Sequence, residues 1–240
     1  MSGASAARSA PPERSASPAS ASRDEAWREE VARGLLMLKW SSDGIVAMGP
    51  DRFPYIAAFP PRVAATIPGL REFQPRDLAQ LALAKHAGIA VYMRAVKDHP
   101  LYAFSLGAVT AIATDTWQPR DFKKPVGLEP GDHLLFGTPS QDALPAELRR
   151  AIADYMRTND HVDAPKIALL VIKKASGAYQ PPPWIMAANL RRSDFPTESA
   201  WDAELERMRW FIPPRYDVVR PPPTDAGFAV WFDIVQPVSP

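Results

Sequence analysis

The run Lys166-Ile-Ala-Leu-Leu-Val-Ile-Lys173 is followed by the break Gln180-Pro-Pro-Pro183 and by a second apolar run, Trp184-Ile-Met-Ala-Ala-Asn-Leu190; their reading decides the fold class. An unbroken apolar run rich in branched side chains, bounded by lysines, reads as a buried strand. The proline break makes the second run its antiparallel partner in a hairpin with a long loop. Helical periodicity lies on both sides. Upstream, His133–Phe136 suits a short strand, and Pro145 opens a helix through Leu148, Ile152, Tyr155 and Met156. Downstream, Trp201, Leu205, Met208 and Ile212 share a helix face, with Asp202, Glu204, Glu206 and Arg207 largely off it. Tyr216–Val219 and Phe228–Val235 read as the last strands. The order β-α-β-β-α-β-β mixes hairpins with interleaved helices. That predicts an α+β fold with helices on one face of a small sheet, not a doubly wound parallel sheet.

The N-terminal half has the same mixed style. Ser22 three residues before Glu25 is a capping-box pattern, and Trp27, Val31, Leu35 and Leu38 then recur at helical spacing. A turn at Ser41–Gly44 ends that helix. Phe53–Phe59 reads as a strand in which Pro54 marks an edge or a strand start. An extended piece at Arg71–Gln74 precedes a helix that opens at Pro75, where the missing amide donor costs nothing, and that Gly88 is placed to end. Leu78, Leu81, Ala82 and Lys85 define that helix. Ile89–Met93 and Tyr102–Leu106 read as strands, with a small helix to about Thr114. Between Thr116 and Pro130 the periodicity fails among Pro119, Pro125 and Pro130, which predicts a linker. The expected organisation is a leader at 1–23, a first domain at 24–115, the linker at 116–130 and a second domain at 131–240.

Composition narrows the function. The chain has 240 residues, 46% hydrophobic and 23% charged, enough apolar material for a core. Its formal charge is +1, which suits neither tracking of nucleic-acid backbones nor docking by charge on anionic membranes. Cysteine is absent, so disulfides, thiolate nucleophiles and persulfide carriers are excluded. The 27 prolines stand well above the roughly 5% average usage. Met1 to Arg23 is nearly all Ala, Ser and Pro without a large apolar residue; it reads as a disordered leader, and its Arg and Ser content also fits a transit segment. No apolar run approaches membrane-spanning length, and no export signal precedes the ordered chain, which together predict a cytoplasmic protein.

No familiar catalytic signature is present. The glycines form neither GxGxxG nor GxxxxGK[ST], and GxSxG and HExxH are missing. Asp160, His161 and Asp163 are the densest polar knot. Imidazole and carboxylates suit zinc or manganese, but the spacing before Pro165 gives these residues turn roles. Asp132-His133 reads as a turn into a strand, and His99 before Pro100 as an exposed loop histidine. Asp202, Glu204 and Glu206 beside Arg207 and Arg209 read as a solvated helix face with i,i+3 pairs. Gln180-Pro-Pro-Pro-Trp184 and Arg220-Pro-Pro-Pro-Thr224 suit either rigid loops or polyproline II display to a partner. Trp27, Trp201 and Trp210 fall on helical faces and read as core. Trp117, beside the linker, reads as cover for the domain junction. No catalytic, cofactor-binding or metal residue is assigned.

The order of elements resembles the SseB family, named for enhanced serine sensitivity, whose members carry an N-terminal and a C-terminal SseB domain. In the first half the likeness rests on Ala58-Phe59, Gly69-Leu70, Arg76-Asp77-Leu78-Ala79, Ile89-Ala90-Val91 and Leu101-Tyr102-Ala103-Phe104-Ser105-Leu106. In the second half it rests on Phe136-Gly137-Thr138-Pro139, Leu144-Pro145-Ala146-Glu147-Leu148, His161-Val162-Asp163-Ala164 and Val230-Trp231-Phe232-Asp233. It spans about Trp27 to Pro240. Family members commonly place Asn-Pro after the N-domain strand, where this chain has Tyr92-Met93-Arg94. The resemblance implies a link to serine sensitivity and to sulfurtransferase (rhodanese) activity, and by name to secretion. With no cysteine, any sulfur chemistry has to act through a partner. The expected function is therefore a non-enzymatic protein that binds another protein and modulates it. The alternative is a sensor holding an amino-acid-like metabolite between the domains; an enzyme of unfamiliar type and a secretion role are the remaining readings.

Overall fold

A computed structural model describes residues 18–95, 99–117, 129–137, 140–141, 144–179, 184–190, 192–218 and 232–233. The class is α+β, as the hairpin and its flanking helices predict. In the second half the predicted order is found strand for strand. β7 (His133–Gly137), α5 (Ala146–Asn159), β8 (Lys166–Lys173), β9 (Trp184–Ala188), α6 (Glu198–Phe211), β10 (Tyr216–Val218) and β11 (Phe232–Asp233) follow one another, with a 3-10 turn at Arg192–Asp194. β8 and β9 pair antiparallel from Ile167 beside Ala188 to Leu170 beside Ile185. β7 and β11 both lie antiparallel along the other edge of β8, at opposite ends. β10 joins β9 in parallel after the α6 crossover. Thr197 caps α6 by accepting a hydrogen bond from Ala200 N–H at 3.1 Å, and Pro145 precedes α5 with extended backbone.

The first half begins with α1 (Pro18–Leu36), β1 (Trp40–Ser42), β2 (Val46–Met48), β3 (Pro54–Ala58) and the single turn α2 (Pro61–Ala64). It continues with β4 (Arg71–Phe73), α3 (Pro75–Ala84), β5 (Gly88–Val91), β6 (Tyr102–Phe104) and α4 (Leu106–Ala113). Four strands form a sheet in the order β2-β3-β5-β6. Only β3 and β5 are parallel. β1 pairs with β4 and touches the end of β3 through Ser41 and Phe59. Pro54 is the first residue of an interior strand, where its missing N–H interrupts no ladder.

Several expectations are corrected. α1 starts at Pro18, inside the segment read as a disordered leader, and Ser22 lies within the helix instead of capping it. The burial argument missed this because a helix satisfies its own backbone, Ala favours it, and Pro is tolerated in its first turn. Trp27 is 53% exposed and Leu38 lies beyond the helix, also exposed; Ala32 and Leu35 carry the contact instead. Ser41 and Ser42 belong to β1, so the turn narrows to Asp43-Gly44, with Gly44 at φ +70°. The indole N–H of Trp40 donates to Leu35 O at 3.0 Å, sharing with Leu38 N–H, at 3.1 Å, a carbonyl in the last turn of α1. Gly88 does not end α3. His86 takes the left-handed conformation there at φ +52°, and Gly88 sits in β5, where a Cβ would lie 2.5 Å from Phe104 O. The prolines at 180–183 and 220–224 and most of the 116–130 linker lie outside the described residues.

α4 is buried on every side, as its sequence Leu-Gly-Ala-Val-Thr-Ala-Ile-Ala requires. It packs against α3 and β5 of its own half and against α5 and α6 of the other. Gly107 makes the α6 contact possible, because a Cβ there would strike the backbone at Ile212 and Pro213. Buried apolar residues from both halves join in one continuous cluster, with Trp117 half-buried against it. Where the halves meet, Phe53 stacks on Trp210 with ring centroids 4.3 Å apart, and Phe211 meets Phe53 edge-on. The Trp210 indole donates to Tyr55 Oη at 2.8 Å, and Tyr55 donates to Asp51 Oδ2 at 2.7 Å. Burial together with Asp51 pushes the Tyr55 phenol well above its ordinary range, so it stays a donor.

Candidate functional site

Three features outside the packed core have the makings of a site. The first is the outer edge of β2. Short, apolar and terminal in its sheet, β2 is exposed at all three residues, and with Ile45 it presents Ile45 at 65% and Met48 at 67% exposure. It is held in place from inside. β3 pairs with it from Val46 beside Ile56 to Met48 beside Pro54. Ser42 Oγ donates to Ala57 O at 2.7 Å and accepts from Gly44 N–H at 3.0 Å, which fixes the step from β1 into β2. Lys85 donates to Gly44 O at 2.7 Å from α3. The strand is thus rigid on its inner side, with large apolar side chains in water. Sequence reasoning passed over it; the branched pair Ile45-Val46 beside Gly44 was the available signal.

The second feature is a polar cluster between α5 and α6. Glu204 is 2% exposed, whereas the periodicity predicts a solvated position. The predicted i,i+3 pairs do form, Arg207 to Glu204 at 2.9 Å and Arg209 to Glu206 at 2.6 Å. What the pattern hides is that Glu204 also faces α5, where Tyr155 donates to its Oε1 at 2.8 Å. Asp160, at the end of α5, meets the same carboxylate. Burial, and then the charge of Glu204, push the Asp160 carboxyl up to about 7. Its Oδ2 is shielded from water and unpartnered among the described residues. Burial drives the Tyr155 phenol upward too, with Glu204 adding to the shift, so it remains protonated. The arrangement is a carboxyl–carboxylate pair, closed in by an arginine and a tyrosine.

The remaining polar residues take turn roles. His161, in left-handed conformation at φ +55°, and Asp163 are both exposed beyond Asp160. Among the described residues no group of three His, Asp or Glu side chains is placed to hold a metal ion. Asp132 accepts from Glu129 N–H, Ala175 N–H and Lys174, a turn that staples β7 to the end of β8. The Lys174 ammonium, first among these, holds the Asp132 carboxyl below its usual range. His99 is exposed, as expected. Among the described residues no helix is long and apolar enough to cross a membrane.

The third feature is a cavity of about 440 Å³ at the carboxyl ends of β3 and β5, with Arg62 and Arg94 on its border. No family model, curated protein or solved structure matches the chain.

Proposed function

We propose that this is a non-enzymatic protein-binding regulator, which receives an extended apolar segment of a partner protein on the outer edge of β2. The observation that carries the reading is that edge: unpaired on its outer side among the described residues, held rigid from within, and faced with Ile45, Val46 and Met48. An exposed edge strand offers a row of backbone donors and acceptors, and proteins that do not use such an edge commonly blunt it with lysine, proline or a bulge. Here none of those devices falls between Ile45 and Met48. Adding a partner strand satisfies the backbone and covers the apolar side chains together, the pattern of strand addition. The SseB-like order of elements supports the same reading, since a chain without cysteine can join sulfur chemistry only through a partner.

The test is capture of partners from native lysate by the tagged full-length chain and by Ile45→Lys/Met48→Lys, in which two exposed side chains gain charge without loss of core packing. The reading expects one stoichiometric partner on the wild-type chain, reduced about tenfold or more on the variant while the melting temperature is unchanged. A partner held equally by both chains, no partner at all, or concentration-dependent self-association that the variant abolishes would each overturn it.

A further inference from the structure

We propose that the crevice at the carboxyl ends of β3 and β5 binds a small amphipathic anion, a carboxylate carried on a compact apolar body. β3 and β5 run parallel, in register from Tyr55 beside Gly88 to Ala58 beside Val91. Beyond that register their exits diverge. The chain leaves β3 through Pro60 into α2, which packs on β1, and leaves β5 through Met93 toward β6 on the opposite side. Parallel neighbours with diverging exits leave a hollow past their carboxyl ends, and ligands of open α/β sheets bind in such hollows. The cavity here holds about 440 Å³, room for a small organic molecule.

Its lining states the chemistry. Pro60, Val63 and Met93 form an apolar wall, and the flexible Met93 side chain can adapt to an apolar body. Arg62 and Arg94 border the same hollow; both are exposed, and neither meets a carboxylate among the described residues. The described lining contains no acidic side chain, so its charged groups are both cationic. Thr66 donates its hydroxyl to Val63 O at 2.7 Å and adds no free proton of its own. Two guanidinium groups without a carboxylate partner among the described residues, beside an apolar wall, select an anion with an apolar portion, and their planar donor forks match a carboxylate in particular. No residue of β2 borders the cavity, so the site stands or falls independently of the docking edge.

The test is calorimetric titration of the full-length chain with phenylacetate and with its uncharged isostere phenylacetamide. Phenylacetate binds saturably in the millimolar range, and at least about tenfold more tightly than the amide. Arg62→Gln/Arg94→Gln brings phenylacetate down to the affinity of the amide without moving the melting temperature, because the variant removes no ion pair among the described residues. Absence of saturable phenylacetate binding overturns the site. Equal affinity for the two probes, or unchanged affinity in the variant, overturns the anion selectivity.

Discussion

Asp160→Asn removes one proton site from the α5–α6 cluster and makes the sharpest test of that geometry. In the folded chain the Asp160 carboxyl is raised from 3.8 to about 7, first by burial and then by the charge of Glu204, whose side chain Arg207 and Tyr155 hold in place. A raised acid binds its proton more tightly folded than unfolded. Between pH 3.8 and about 7 the folded chain therefore carries the extra proton, and stability falls as pH rises across that window. Above it the penalty is complete. At about 1.4 kcal/mol per pH unit the full interval amounts to about 4 kcal/mol. Asp160 is only half-buried, and water screening reduces this to about 2 kcal/mol. Asparagine is close to isosteric, neutral at every pH, and still donates toward Glu204. Urea unfolding followed by tryptophan fluorescence should place Asp160→Asn about 2 kcal/mol above wild type at pH 8, and less than half as far above it at pH 5. Comparison at equal pH cancels the other titrating groups. A gap that does not change with pH, or a variant weaker than wild type at pH 8, would rule out a raised Asp160 carboxyl as the source of the effect.

Gly107→Ala drives a methyl group into the backbone at Ile212 and Pro213, and should cost about 3 kcal/mol, lowering the melting temperature by about 6–12 °C in a thermal scan. His86→Gly relieves a left-handed non-glycine residue at φ +52° and should raise stability by about 1 kcal/mol, or about 2–4 °C, in the same scan.

The hairpin of β8 and β9 and the helices on either side were legible because long periodic segments carry their own signal. Lys166–Lys173 is found with the predicted ends, and the apolar faces of α5 and α6 are buried as read. What escaped depends on neighbours distant in sequence. Glu204 looks solvated on a helical wheel, yet α5 closes over it; the partners Tyr155 and Asp160 belong to a different element. β2 has three residues and all are exposed, so it shows no alternation to detect. The hollow beside Arg62 and Arg94 exists only because β3 and β5, separated by α2, β4 and α3, come to lie parallel. Trp27 shows the reverse error. It has helical spacing and a large apolar ring, but the packed part of α1 lies further along, at Ala32 and Leu35.

The proposed docking role of β2 makes its backbone amides the place to look. Hydrogen–deuterium exchange of the full-length chain, alone and with the partner recovered by capture, tests it most directly. Peptides spanning 44–49 should gain protection in the complex, at least about tenfold in exchange rate, as outward-facing amides find acceptors. Protection confined to other segments, with 44–49 exchanging as fast as in the free protein, would contradict it.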